Sequence, residues 1–254
     1  MNKKGVRKNL ITLLSVGCLA CFAGAMSFWK PKINAQAEIT SSNFYVRGAG
    51  VRLLTDQDGN GLRFHTVMET EVYNALDANC TTGTLILPEL LCVDEELTLE
   101  NEQAVNIPTT SIWYQSDIEG YMQSTAYLYD IPESSYGARM IAVSYVKFGD
   151  GTVEYSSMSP ATSMTDVANS AIASDETLAS KLQSYIVENA TVKFRYADGT
   201  VESQTLPYGS KLTEPQIETE IAGYKFKGWV TRLGKLWDFE NDELTGTTTL
   251  TATF

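Results

Sequence analysis

The string Asp56-Gln57-Asp58-Gly59-Asn60-Gly61 is the part of this sequence closest to a metal site. Oxygen-bearing side chains alternate at Asp56, Asp58 and Asn60 and a glycine stands sixth, as in the first half of a loop that wraps a hard cation such as calcium. The twelfth position is Val67, so the bidentate carboxylate that closes such a loop is missing. A Gly-rich turn between two strands accounts for the same residues, and no metal or other cofactor is expected. The chain's single histidine, His65, sits in a strand-like run beside Phe64. Nucleophilic catalysis needs a nucleophile, an adjacent base and an orienting group. No Gly-x-Ser-x-Gly or His-Glu-x-x-His signature supplies them, so His65 reads as structural. Acidic pairs such as Glu69 with Glu71, or Asp94 with Glu95, have the chemistry of a glycosidase, but a chain this acidic generates such pairs freely. No catalytic residue is expected.

Aromatic residues crowd one region: Trp113, Tyr114, Tyr121, Tyr127, Tyr129 and Tyr136. Rings exposed in a row suit stacking on sugar faces, although a β-rich core needs large residues too. Trp113 and Tyr114 are neighbours on one strand and point to opposite faces. Trp113, Tyr114 and Tyr121 are therefore the candidate ligand-binding residues. Two cysteines, Cys80 and Cys92, stand in the body of the chain with eleven residues between them. In an oxidising compartment such a pair forms a disulfide, or else the two serve as small buried hydrophobes.

The elements that must position these residues are mostly strands. Short β-type runs over 45–54, 62–67, 82–87, 111–115, 121–128, 140–148 and 152–155 are separated by Gly, Asp, Asn and Pro clusters, the pattern of an antiparallel β-rich domain. Gly149-Asp150-Gly151 joins the last two as a hairpin. The run 140–148 is apolar on both faces, which predicts a central strand covered on both sides. Residues 69–76 suit a short helix and 94–102 an exposed loop. Ser163 or Thr165 can cap one helix, and Ser174 with Asp175 a second whose apolar stripe is Leu178, Leu182, Tyr185 and Ile186. After Ala190 the strand pattern returns and continues to Phe254. The expected fold class is mainly β: a β-sandwich-like domain over 38–160, a helical connector packed on a domain over 161–189, and a compact β module over 190–254.

Residues 1–37 have the layout of a secretory signal peptide: Lys3, Lys4, Arg7 and Lys8, then an uncharged run over 10–29, then Ala35-Gln36-Ala37. Cleavage is expected after Ala37; the run is also long enough to stay as an uncleaved membrane anchor. The residues before Cys18 and Cys21 make a poor lipid-attachment motif. Without 1–37 the chain keeps 13 basic residues against 31 acidic ones, a formal charge of −18. Nucleic acid and anionic membrane surfaces are excluded as partners, because binding them needs lysines and arginines that neutralise phosphates.

Val192-Lys193-Phe194, Asp198-Gly199, Pro207-Tyr208-Gly209, Pro215, Gly223-Tyr224-Lys225-Phe226-Lys227-Gly228-Trp229, Trp237-Asp238-Phe239 and Leu250-Thr251-Ala252-Thr253-Phe254 follow one another over residues 191–254. This order resembles the Listeria/Bacteroides repeat, or internalin B-repeat, with Phe254 where that family usually ends in Trp. The resemblance implies a small β-grasp-like fold and a place on the bacterial envelope or in secreted proteins. One copy is found, so a stalk of many repeats is not indicated. Residues 44–155 more loosely resemble an uncharacterised domain of surface and secreted proteins of Gram-positive gut bacteria, through Gly48-Ala49-Gly50-Val51-Arg52, Gly61-Leu62-Arg63-Phe64, Gly83-Thr84-Leu85-Ile86-Leu87-Pro88 and Tyr136-Gly137-Ala138-Arg139.

The function expected from these readings is a secreted or envelope-associated, non-enzymatic binding or adhesion module for an extracellular glycan or protein. The competing classes are a secreted enzyme acting on glycan or peptide, which needs a carboxylate pair lining a cleft, and a purely architectural spacer.

Overall fold

The computed structural model describes residues 38–53, 59–92, 96–109, 113–217, 220–221 and 223–254, which belong to one compact unit. The expected export signal over 1–37 and the calcium candidates Asp56 and Asp58 lie outside the described residues. No helix among the described residues is long and apolar enough to cross a membrane. The protein is mainly β, as its sequence predicts, and builds three larger sheets with a few short helices.

β1 (Phe44–Arg52) and β2 (Gly61–Glu69) form an antiparallel hairpin, followed by α1 (Thr70–Ala75). Then come β3 (Thr81–Pro88), β4 (Val105–Pro108), β5 (Tyr114–Gln115), β6 (Tyr121–Tyr129), β7 (Met140–Lys147) and β8 (Val153–Tyr155). They assemble into two sheets, in the orders β1-β2-β6-β5 and β4-β3-β7-β8. Alternation decides which side each residue takes. On β2, Leu62, Phe64, Thr66 and Met68 are buried on the inner side, while on the outer side Arg63 is exposed, His65 half-buried and Val67 covered. The buried set packs against Ile86, Ala142 and Val146 of the second sheet, so the two sheets share one core. At its centre three hydroxyls satisfy one another: Ser144 Oγ lies 2.6 Å from Thr66 Oγ1 and 3.0 Å from Thr84 Oγ1. Buried polar groups need such partners, and these tie the sheets at a fixed register.

β7 is flanked by β3 and β8 and is buried at every position but its last, the covered central strand its apolar faces predict. Its second cover comes from a segment expected to be an exposed loop. Within 96–102, Leu97 is buried and Leu99 is half-buried against Leu85, Leu87, Ile141 and Val143. Two leucines in an acidic stretch are enough to anchor it.

Helix α2 (Met164–Ser174) starts at Ser163, with a full capping box between Ser163 and Asp166. The second expected helix is shorter: α3 (Ala179–Leu182) is flanked by single 3-10 turns. The chain stops winding because the buried Thr165 hydroxyl donates to the Tyr185 carbonyl at 2.9 Å and accepts the Val187 N–H at 3.1 Å. Met164, Ala168, Leu182 and Tyr185 face the sandwich core, so this segment packs on the first domain.

The rest of the chain is β9 (Asn189–Arg195), β10 (Val201–Pro207), the short pair β11 (Glu220–Ile221) and β12 (Tyr224–Lys225), β13 (Gly228–Val230) and β14 (Thr248–Thr253). Its main sheet has the order β10-β9-β14-β13, with β9 and β14 parallel at the centre. Trp229 is fully buried there, with the rings of Phe194, Tyr196 and Phe226 edge-on at 5.0, 5.3 and 6.1 Å. Phe254, in place of the usual Trp, packs edge-on against Phe226 at 5.6 Å.

Asp166 joins the three parts. One of its carboxylate oxygens accepts the Ser163 N–H and the Arg139 Nε–H, each at 3.1 Å; the other accepts the Tyr208 hydroxyl at 3.0 Å. Ser163 Oγ sits 2.8 Å from Tyr208 Oη, and Arg139 Nη2 reaches Glu243 at 2.8 Å. Burial pushes the Tyr208 phenol up to about 12, with the Asp166 charge adding to it. Burial pulls the Arg139 guanidinium down, but Asp166 and Glu243 outweigh that and hold it above the ordinary arginine value.

Cys80 precedes β3 and packs near Phe44 and Trp113, whereas Cys92 follows β3 and packs near Leu85 and Ile141. A strand of this length spans about 25 Å, far beyond disulfide reach. The expected bridge is corrected on that ground: the structure has none between Cys80 and Cys92.

Replacing Asp166 by Ala removes one partner from both Arg139 and Tyr208, leaving Arg139 with Glu243 and Tyr208 with Ser163 and the Gly137 carbonyl. Hydrogen bonds to charged groups of this kind contribute roughly 1.5–3 kcal/mol each, so D166A is expected to lower unfolding stability by about that amount or more in urea titrations. Because the folded Tyr208 pKa is raised above its unfolded value near 10, its contribution is present below pH 10. It is expected to fade as pH rises towards about 12 in the native chain and to be absent in Y208F.

Candidate functional site

The outer face of the first sheet carries the richest set of chemical groups. Register sets out four rows across it: Tyr45 with Val67, Gln123 and Tyr114; Gly48 with His65 and Thr125; Gly50 with Arg63 and Tyr127; Arg52 with Gly61 and Tyr129. The pairing shifts between Val46 and Gly48, leaving Arg47 as the extra residue of a bulge. Bulges re-aim side chains, and Arg47 is turned to an ion pair with Asp117 in the β5–β6 turn.

Hydrogen bonding at one end of this face is closed and directional. Gln123 Nε2 donates to Tyr114 Oη at 2.7 Å and to His65 Nδ1 at 3.1 Å. Thr125 Oγ1 lies 3.0 Å from Tyr114 Oη and 3.1 Å from His65 Nδ1. An amide nitrogen only donates, so Nδ1 is the acceptor and the neutral ring carries its proton on Nε2. Burial holds His65 below its ordinary value, and the charges of Arg63 and Arg47 lower it further. These groups border a cleft of about 640 Å³ lined by Arg47, Gly48, Ala49, His65, Tyr114, Gln115, Asp117 and Gln123. At the other end the rings of Tyr127 and Tyr129 stack at 5.6 Å, with the Arg52 guanidinium 5.0 and 5.1 Å from their centres.

The sequence candidates divide. Tyr114 is about half exposed, at 48%, and lines the cleft. Tyr121 lies on the same face as His65 and Gln123, half-buried, with its hydroxyl 3.3 Å from the Ser42 carbonyl. Trp113 is corrected: it is 8% exposed, inside the core against Tyr73, with Nε1 donating to Thr82 at 3.3 Å. Trp113, just before β5, and Tyr114, its first residue, do face opposite ways, and the indole takes the core side because burying it removes more apolar surface from water. Asn60 of the calcium candidate donates from Nδ2 to Tyr136 Oη at 2.6 Å. No cluster of three potential metal ligands occurs among the described residues. Missed by the sequence reading were Arg47, Gln123 and Thr125, and the placing of His65 among them. The signal was present in β6, where Tyr121, Gln123, Thr125, Tyr127 and Tyr129 keep one parity of the strand for polar and aromatic groups.

The face presents hydroxyl and imidazole groups beside guanidinium charge, with the buried Gln123 amide ordering them. His65 is the single histidine, so its ring gives one titrating signal in an NMR pH series. That signal is expected to titrate below 6.5 with the Nε2-protonated tautomer dominant, and R63Q is expected to move it upward. Since the folded value is depressed, the stability contributed by the neutral ring is present above pH 6.5 and lost as pH falls through the folded value.

No curated protein matches the chain. Residues 191–253 match the family described as the Listeria-Bacteroides repeat domain, which places a domain typical of bacterial surface and cell-envelope proteins at the β9–β14 sheet.

Proposed function

We propose that this chain is a secreted or envelope-associated bacterial protein whose β-sandwich is a non-enzymatic binding or adhesion module, docked to one β-grasp-like repeat. The observation that carries this reading is the outer face of the first sheet. There Tyr114 and Tyr129 are exposed on a sheet face that also carries an ordered polar network and an open cleft. The repeat supports the compartment, because its family is one of surface and envelope proteins. Its parallel central strands flanked by antiparallel edges support the β-grasp-like assignment.

A glycan and extracellular-matrix array probed with the whole chain is expected to show binding that Y114A weakens at least about tenfold, the loss typical of a central interface aromatic. Turnover of chromogenic glycans by the same preparation would replace this reading with a hydrolase. Export is tested separately: mass spectrometry of the released protein is expected to find Glu38 as its first residue, whereas an intact 1–37 segment in the membrane fraction would show an anchor.

A further inference from the structure

The stretch from Glu38 to Pro160 holds five basic residues, Arg47, Arg52, Arg63, Arg139 and Lys147, against eighteen acidic ones. Three of the five arginines and lysines converge on the outer face of the first sheet. Arg47 is neutralised by Asp117, and Arg52 is spread over two tyrosine rings. Arg63 differs. It is exposed, at mid-strip, and makes no ion pair among the described residues although the domain is rich in acids. It lies across Gly50, where an added Cβ would stand 2.8 Å from its Nε. A Cβ at Gly48, one row along, would meet nothing within 4 Å, so the β1 side of the strip is open beside His65.

We propose that this strip binds a glycan bearing isolated carboxylates, a uronic-acid-containing chain, with Arg63 receiving a carboxylate and the His65–Tyr114 end, held in place by the buried Gln123, receiving sugar hydroxyls. The inference rests on the binding-module reading above and adds the chemistry of the ligand. A guanidinium binds a carboxylate through two parallel hydrogen bonds. The neighbouring groups are neutral and act as both donors and acceptors, which matches hydroxyls. Alternate residues on a strand lie about 6.8 Å apart, so four rows give a strip of about 20 Å, the dimension of a short oligosaccharide. A densely charged polyanion is disfavoured by the acidic surroundings. An acidic peptide is disfavoured because the groups of the strip stand on the sheet's face, away from the backbone edge of β1 that strand addition would use.

The test is calorimetric titration of the whole chain with tetramers of galacturonic, glucuronic and mannuronic acid, with their carboxyl-reduced neutral counterparts, and with a glutamate tetrapeptide. At least one uronate is expected to bind at least about tenfold more tightly than its neutral counterpart. R63Q is expected to abolish that difference, R63K to keep part of it, and added salt to reduce it. Equal binding of acid and neutral sugars, unaffected by R63Q, overturns the carboxylate assignment and leaves the binding face standing. Tighter binding of the glutamate peptide overturns the glycan assignment. Silence from every uronate overturns this inference, and an equally silent array overturns the binding-module reading with it.

Discussion

One carboxylate holds the parts of this protein in their arrangement. Asp166 closes the capping box that starts α2, and the same group takes the Arg139 guanidinium from the sandwich and the Tyr208 phenol from the repeat. Each of these partners would be costly alone: a half-buried guanidinium, a phenol away from water, an uncapped helix start. Together they satisfy one another, and Glu243 adds a second contact to Arg139. The Pro-Tyr-Gly block, which reads in isolation as part of the repeat's own turn, therefore has its tyrosine directed outward to a neighbour. A repeat that is near the lower size limit for a single core gains a polar anchorage that its own interior does not supply.

Most of the architecture was legible in the sequence because it follows from periodicity. The alternation in β2, the two-sided apolar run of β7, the Ser163 cap and the aromatic positions around Trp229 all repeat at intervals set by backbone geometry. What stayed hidden depends on register between distant segments. His65 meets Thr125 across sixty residues, and neither shows in its own strand that the other will be its partner. The bulge that frees Arg47 depends on a one-residue slip in β1 that no composition reveals. Trp113 and Tyr114 were correctly set on opposite faces, yet which face is inward follows from the sandwich rather than from the strand. The shortened second helix has the same origin, since the hydroxyl that ends it belongs to Thr165, two elements away. The cysteine pair, open in the sequence between a bridge and two small hydrophobes, is decided by the strand between them. Eleven intervening residues suggest a return, but eight of the residues after Cys80 are one extended strand.

The two sheets of the sandwich divide labour. The second is covered at its central strand, where leucines from the 96–102 segment pack over β3 and β7. The first is apolar on its inner side alone, and its outer side collects most of the domain's positive charge and its exposed tyrosines. The hydroxyl cluster of Thr66, Ser144 and Thr84 fixes how these sheets face each other. It thereby also sets the rigid platform under His65, one residue from Thr66.

The topology of the repeat has a mechanical consequence. Its first and last strands, β9 and β14, lie side by side and parallel, joined over Thr248 to Thr251 against Val192 to Arg195. A pull applied between the start of β9 and the end of β14 is directed along the strands, so it loads these hydrogen bonds in shear and they must give way together. In an antiparallel hairpin pulled from its open end the bonds would peel one at a time under a smaller force. A module with this geometry transmits tension from its two ends while keeping its fold, a property suited to a protein held at one point and tugged at another.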